Sequence, residues 1–128
     1  MKSNDNSSFK IKGLDHIQLA APLDSEQKAR NFFYHLLGME EIEKPELLKQ
    51  NGGVWFQCGN QELHIGIEQN FMPARKAHPA IYVTNINQLK ERLNHHSIDI
   101  ITDDRLPGYQ RFYVNDPFGN RLEFLELI

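Results

Sequence analysis

The sequence predicts an α+β fold in which two βαβββ modules pack into a cupped, barrel-like mixed sheet. The order of strand-like and helix-like segments runs β-α-β-β-β and then starts again, which gives two halves of ~60 residues each. Gly59-Asn60 precedes the last strand of the first half, as Gly119-Asn120 precedes that of the second. We expect a single domain over residues 11–128, with module one over about 11–70 and module two over about 77–128.

The composition fits one globular domain without a nucleic acid or membrane partner. The chain has 128 residues and a net charge of -3, with no basic stripe that would suit nucleic acid. No apolar run approaches the ~20 residues of a membrane span. Residues 1–10 are polar, lack a secretory h-region and are expected to form a disordered tail. Cys58 is the single cysteine, so an intrachain disulfide is impossible, which is consistent with a cytoplasmic location.

Module one begins with a predicted strand over residues 11–21, in which His16 shares a face with Gln18. Asp24 or Ser25 is placed to cap a helix that runs to about Leu37, with apolar residues at helical spacing. Three short strands follow at residues 39–44, 53–58 and 61–68, separated by turns that contain glycine. The helix should cover one face of this sheet and leave the other face bare.

Module two repeats the pattern with a strand at residues 77–84, a helix that Asn85 is placed to cap, and a strand at residues 98–102. Residues 111–128 then read as a β-hairpin, because Asp116-Pro117-Phe118-Gly119 has the residues of a type I turn. Packed together, the bare sides of the two modules would form one concave surface, which is a natural site for a small molecule.

Glu123 is the residue in this hairpin that most needs explanation. Side chains alternate along a strand, so Glu123 shares a face with Leu125 and Leu127. A carboxylate among apolar neighbours is costly unless it is paired or binds a cation. The alternative is a solvated Glu on an exposed strand face.

Three strand histidines accompany Glu123. His16 and His78 occupy corresponding first strands of the two modules, and His64 lies in the last strand of module one. Counted from the Gly-Asn turns, His64 comes one residue later than Glu123. A shift of one residue turns a side chain to the other face, so a bulge or a different turn absorbs it, or else His64 is not equivalent.

Imidazole and carboxylate ligands together suit a borderline divalent metal such as Zn, Ni, Fe, Mn or Co. His16, His78 and Glu123 would give a three-ligand site, which His64 or a water completes to four. The open positions would take substrate oxygens and polarise a carbonyl. A packed or hydrogen-bonded strand histidine remains the alternative for each His taken alone.

Four segments, LDHIQLAAP, ELHIGIE, PARKAHPAIYV and RFYVNDPFGNRLEFLEL, make the chain resemble the vicinal oxygen chelate superfamily. That superfamily includes glyoxalase I, extradiol dioxygenases, methylmalonyl-CoA epimerase, and fosfomycin and bleomycin resistance proteins. The resemblance implies a glyoxalase-like fold with metal ligands at His16, His78 and Glu123. Glyoxalase-like members take a fourth ligand, Glu or Gln, from the last strand of module one. The nearest candidates here are His64 and Glu62, or Gln57 one strand earlier.

The resemblance further implies a divalent-metal-dependent enzyme that performs glyoxalase-like isomerase or lyase chemistry on a small substrate with adjacent oxygens. Glu123 would serve as ligand and base, and His64 as a fourth ligand or a base. A homodimer is expected, with each site inside one chain or shared by two. The alternatives are an extradiol-type Fe(II) dioxygenase, since two His and one carboxylate also form the facial triad, and a metal-free protein that sequesters a small molecule.

Four further residues are candidates for binding the substrate. Arg111 and Arg75 would hold an anionic group of the substrate, unless they are solvated surface charges. Trp55 and Tyr82 would line the cavity, unless they pack in the core.

Overall fold

The computed structural model describes residues 8–128, which form eight strands, two α-helices, a π-helix and a 3₁₀-helix. Residues 1–7 of the predicted tail lie outside the described part. Helix α1 covers Glu26–Ala29 and continues as a π-helix over Arg30–Leu36; a 3₁₀-helix covers Glu46–Asn51, and α2 covers Ile86–His95. The strands are β1 (His16–Ala21), β2 (Glu41–Ile42), β3 (Val54–Cys58), β4 (Gln61–Ile67), β5 (Ala80–Tyr82), β6 (Ile101–Thr102), β7 (Tyr109–Asn115) and β8 (Arg121–Leu127).

The strands form two four-stranded mixed sheets with the same topology. Sheet one has the order β1-β4-β3-β2 and sheet two the order β5-β8-β7-β6. In each, the first strand of the module runs parallel to the last, and the remaining pairs are antiparallel. The predicted α+β class and the duplicated βαβββ order are therefore confirmed. The two sheets are separate and do not close into a barrel.

Each module packs its helix on one face of its sheet. In module one, the rings of Phe33 in the π-helix and Phe56 in β3 lie 5.6 Å apart between centroids, and both side chains are fully buried. In module two, Ile86 and Leu93 of α2 are buried in the same core cluster. Burial of each such side chain contributes about 1.5–3 kcal/mol. The opposite faces of both sheets are left for the polar candidates.

The first strands are shorter than predicted. Strand β1 begins only at His16, and β5 only at Ala80, so His78 lies just before its strand rather than within it. Pro79 explains the second difference, because proline has no N–H to donate to a ladder. The carbonyl of Pro79 still accepts a hydrogen bond from the Glu123 N–H at 3.1 Å, which keeps the segment against β8.

Asn85 occupies the predicted N-cap position of the second helix, but the predicted side-chain cap is absent. Asn85 has a left-handed backbone conformation, φ 58°, and its side chain makes no capping hydrogen bond. The carboxylate of Glu126 instead accepts the N–H groups of Asn85 and Ile86, each at 3.0 Å. A carboxylate at a helix N-terminus also interacts favourably with the helix dipole. Likewise, neither residue 24 nor 25 caps α1 through a side-chain hydrogen bond.

The turn between β7 and β8 joins the two modules. The Gly119 N–H donates to the Asp116 carbonyl at 3.1 Å, as expected of the predicted turn. Asn120 is 1% exposed, and its Nδ2 donates to the Ala20 carbonyl in β1 at 2.8 Å. Its Oδ1 accepts the Ala74 N–H at 2.9 Å, in the segment between the modules. One buried amide side chain thus bonds module one, the linker and module two.

Candidate metal centre

The ladder registers make His64 and Glu123 equivalent. In sheet one, His64 lies opposite Trp55 of the antiparallel neighbour; in sheet two, Glu123 lies opposite Tyr113. Both modules therefore place an aromatic side chain across from the candidate ligand of the last strand. The prediction had left the equivalence of His64 open, and the registers resolve it.

The one-residue offset lies in the turns. Four residues connect Gln57 to its ladder partner Glu62, whereas five connect the corresponding pair, Asn115 and Arg121. The longer second turn absorbs the offset without a bulge in either strand. Side chains of the two last strands therefore keep the same alternation between faces.

The two remaining histidines are equivalent by the same reasoning. Gln18, the parallel ladder partner of His64, comes two positions after His16. The partner of Glu123 in β5 comes two positions after His78. The four candidates thus form two corresponding pairs, one in each module.

The pair in module one is a stack of rings. His64 is 4% exposed and lies between Trp55, at 3.8 Å between ring centroids and 2° between planes, and His16, at 4.1 Å and 18°. The Nε2 atom of His64 lies 2.9 Å from Oε1 of Glu62, and Nδ1 of His16 lies 2.9 Å from the exposed Asp15. Stacking holds the buried His64 ring in one orientation.

The pair in module two, His78 and Glu123, is in direct hydrogen-bond contact. Nε2 of His78 lies 3.0 Å from Oε1 of Glu123, whose side chain is 8% exposed. Nδ1 of His78 lies 2.8 Å from the Lys76 carbonyl, which only accepts, so Nδ1 carries a proton. The other ring nitrogen, Nε2, therefore faces a carboxylate oxygen. A shared proton or a bound cation satisfies both atoms.

This geometry suits a divalent metal. Two ligand atoms that each lie about 2.1 Å from one metal ion are about 3.0–3.4 Å apart. The Lys76 carbonyl, which accepts a hydrogen bond from Nδ1 of His78, is the kind of partner that fixes the tautomer of a metal-binding histidine. Within residues 8–128 of one chain, however, no group of three or more His, Cys, Asp or Glu side chains is arranged to hold a metal. The structure brings the candidates together as two pairs, and not as one cluster.

Arg111 contacts protein carboxylates. Its Nη1 donates to Oε2 of Glu123 at 3.3 Å, and its Nη2 lies 3.3 Å from Oδ2 of Asp103. Hydrogen bonds from Arg105 are the largest cause of an Asp103 pKa well below the usual range. The sequence reasoning missed Asp103. Its position directly after the strand predicted at 98–102 was the available signal, since that strand pairs beside Arg111.

The other predicted site residues are distributed around the two sheets. Trp55 and Gln18 line a cleft of about 220 Å³, together with Lys44 and Leu48. Tyr82 is 74% exposed in β5, and Arg75 is exposed in the linker, so both predicted roles stay predictions.

A second cleft, of about 370 Å³, adjoins His78 and is lined by Gln18, Ala20, Met72 and Pro79. It lies where β1 approaches the segment that precedes β5.

Burial raises the pKa of the Cys58 thiol, which makes this side chain a poor nucleophile.

Residues 13–124 match the family model described as the Glyoxalase/Bleomycin resistance protein/Dioxygenase superfamily. The chain belongs to this superfamily. The resemblance inferred from the four sequence segments is therefore confirmed. No curated protein sequence matches the chain significantly. No helix of residues 8–128 has the length and apolar character that crossing a membrane would require.

Solved structures of similar fold support this membership. A Bacillus anthracis protein assigned to the glyoxalase family is 54% identical, with 95% of this chain and 100% of that chain covered and a TM-score of 0.92. A glyoxalase family protein from Enterococcus faecalis is 26% identical, with 90% and 98% covered and a TM-score of 0.68. A lactoylglutathione lyase from Agrobacterium tumefaciens is 22% identical, with 91% and 94% covered and a TM-score of 0.71, and it shows the fold alone.

Proposed function

We propose that this member of the superfamily is a divalent-metal-dependent, glyoxalase-like enzyme that acts on a small substrate with adjacent oxygens. His16 and His64 of one module and His78 and Glu123 of the other would hold the metal. The observation that carries the proposal is the 3.0 Å approach of His78 Nε2 to Glu123 Oε1, with the Nδ1 proton already bonded to a carbonyl. Metal use is common in this superfamily.

The proposal includes a second copy of the chain. The described residues of one chain hold the two pairs apart, whereas one site needs both. A homodimer that places module one of one copy against module two of the other would supply four ligands at each of two sites. Because His16 is still exposed in one chain, it is accessible to such a partner.

Each side chain would have a defined role in an isomerase or lyase reaction. A bound divalent metal would supply Lewis acid chemistry, which polarises a substrate carbonyl. Oε1 of Glu123 would serve in turn as a metal ligand and as the general base that takes a proton from the carbon beside that carbonyl, while Oε2 stays on Arg111. His64 would complete the metal site from the opposite module, with its ring fixed by Trp55. The apolar walls of the cleft beside His78 would exclude water.

Metal content tests the enzyme proposal. Protein purified without chelators should contain about one divalent ion per chain, and His16→Ala and Glu123→Gln should both lose it. His35→Ala is the matched control, since His35 is an exposed histidine on the helix side of module one. A protein that takes up no metal under supplementation, with both variants folded as the parent, would contradict the proposal. Turnover of a thiol adduct of methylglyoxal, compared with oxygen uptake on a catechol, then separates lyase from dioxygenase.

A mixed dimer tests whether the site is shared. A dimer of one His16→Ala chain and one Glu123→Gln chain would have one site with both substitutions and one site with neither. We expect such mixed dimers to regain half of the parent metal content. If each site instead lies within one chain, mixing restores nothing.

A metal-free binding protein is the second candidate. The favouring observation is that Glu123 already has two protein partners, His78 and Arg111, in a single chain. In that case the cleft beside His78 would hold the ligand, and the parent would bind no metal. The same metal measurement distinguishes the two candidates.

A further inference from the structure

Arg111 connects two buried carboxylates across three neighbouring strands. Asp103 directly follows β6, Arg111 lies in β7 and Glu123 lies in β8. The guanidinium donates to Glu123 through Nη1 and lies against Asp103 through Nη2, each at 3.3 Å. The Asp103 N–H also donates to the Arg111 carbonyl at 3.1 Å, which fixes the two residues opposite one another.

The two oxygens of Glu123 consequently have different partners. Oε1 lies against Nε2 of His78, and Oε2 lies against Nη1 of Arg111. The Arg111 side chain is only 16% exposed, so solvent competes little for these contacts. A carboxylate held at one oxygen has one remaining oxygen to present, and its rotation is restricted.

We propose that Arg111, anchored by Asp103, is a positioning residue that holds Oε2 of Glu123 and so presents Oε1 toward His78 and the bound cation. This inference rests on the proposed function, because it assigns a role to the surroundings of the same site. Arg111 touches neither substrate nor metal in this role. Asp103 offsets the charge of Arg111, and Arg105, whose side chain is 81% exposed, contacts Asp103 from the solvent side.

A charge effect and a positioning effect of Arg111 predict opposite changes in metal affinity when its side chain is removed. A positive guanidinium 3.3 Å from a metal ligand repels a divalent cation, so a pure charge effect predicts tighter metal binding without it. Positioning predicts weaker binding, because Glu123 would lose the contact that orients it. The sign of the change therefore separates the two explanations.

The experiment is a Zn²⁺ titration of metal-free full-length protein by calorimetry, with the parent, Arg111→Met and Arg111→Lys. We expect both variants to bind Zn²⁺ about 10-fold to 100-fold more weakly, as for other residues that orient metal ligands. Lysine keeps the charge but presents one ammonium group, which does not reproduce the planar fork between two carboxylates. Arg105→Gln is the matched control, since Arg105 contacts Asp103 but not Glu123, and its affinity should equal that of the parent.

A double variant tests the link to Glu123 directly. In a Glu123→Asp background, whose carboxylate is kept as a ligand but is one methylene shorter and lies farther from Arg111, Arg111→Lys should weaken Zn²⁺ binding little further, because the effect acts through that contact. A residue that merely stabilised the fold would weaken both backgrounds equally. Circular dichroism checks folding, and Arg111→Lys decides the matter if Arg111→Met does not fold.

The outcomes separate this inference from the proposed function. A parent that binds no Zn²⁺ overturns both. A parent whose binding requires Glu123, with Arg111→Lys equal to it or tighter, overturns the positioning role alone.

Discussion

His64 occupies in sheet one the ladder position that Glu123 occupies in sheet two, each opposite an aromatic residue of the neighbouring strand. The duplicated modules therefore present different ligand chemistry at one geometric position. Module one offers an imidazole held in a ring stack, and module two offers a carboxylate held by Arg111 and His78.

Trp55 should report on ligand binding at His64. It is the single tryptophan of the chain, and its ring lies 3.8 Å from that of His64. We expect Zn²⁺ to change the Trp55 fluorescence of the parent, because coordination alters the charge of the stacked imidazole. His64→Ala should show a different emission without metal and no change on Zn²⁺ addition. Zn²⁺ binding by calorimetry with unchanged parent emission would argue that His64 is no ligand.

Asn120→Ala should destabilise the fold strongly. The substitution removes the partners of the Ala20 carbonyl and the Ala74 N–H and one partner of Asp116. Buried polar groups left unpaired cost about 1–3 kcal/mol each, so we expect the free energy of unfolding in urea to fall by about 2–4 kcal/mol. Asn115→Ala, at an exposed residue that ends β7, is the control and should change it by less than about 0.5 kcal/mol. Equal stability of the two variants would disprove the role of Asn120.

Asp116 should make stability depend on pH. Burial is the largest cause of its raised pKa, and hydrogen bonds from Asn120 and Phe118 oppose the shift. A carboxyl group whose folded pKa is raised contributes stability below its unfolded value, about 3.9, and loses that contribution as pH rises through the folded value. The unfolding free energy of the parent relative to Asp116→Asn should therefore fall as pH rises through this window.

Urea unfolding at a series of pH values measures this difference. Asp99→Asn, which removes an exposed carboxyl, is the control substitution. If the unfolding free energy of the parent relative to Asp116→Asn instead rises with pH, burial is not the dominant influence on the pKa of Asp116.

Gly53→Ala should be far more damaging than Gly66→Ala. Gly53 has φ +87°, and a Cβ there would lie 2.2 Å from the backbone oxygen of Ile65. Strain and overlap together should cost about 2–4 kcal/mol. At Gly66 a Cβ would meet the side chain of Gln18, which is exposed and can move, so we expect a loss of about 1 kcal/mol or less. Thermal unfolding that ranks the two variants in the opposite order would refute this.

The sequence predicted the duplicated modules because their signals are local. The apolar run in β8 and the turn residues from Asp116 to Gly119 specify a hairpin without information from distant residues. The register between the modules was not predictable from the turns, because the second turn is one residue longer. Only the ladders show that His64 and Glu123 correspond.

Contacts between distant residues account for the other differences. Glu126 caps α2 from 41 residues away, which no pattern around Asn85 indicates. Arginine is a residue type that often binds anionic substrates, yet the partners of Arg111 are the protein carboxylates of Asp103 and Glu123. The candidate ligands were identified by type and strand position, but their division into two pairs depends on how the sheets are arranged.

The Asn120 side chain has a consequence for how the chain is made. Its hydrogen bond to Ala20 joins residues 100 positions apart. During synthesis the first strand leaves the ribosome long before its amide partner exists, so module one must persist without that bond until residue 120 has been translated. Chains truncated before residue 120 should therefore be the ones that chaperones and proteases capture.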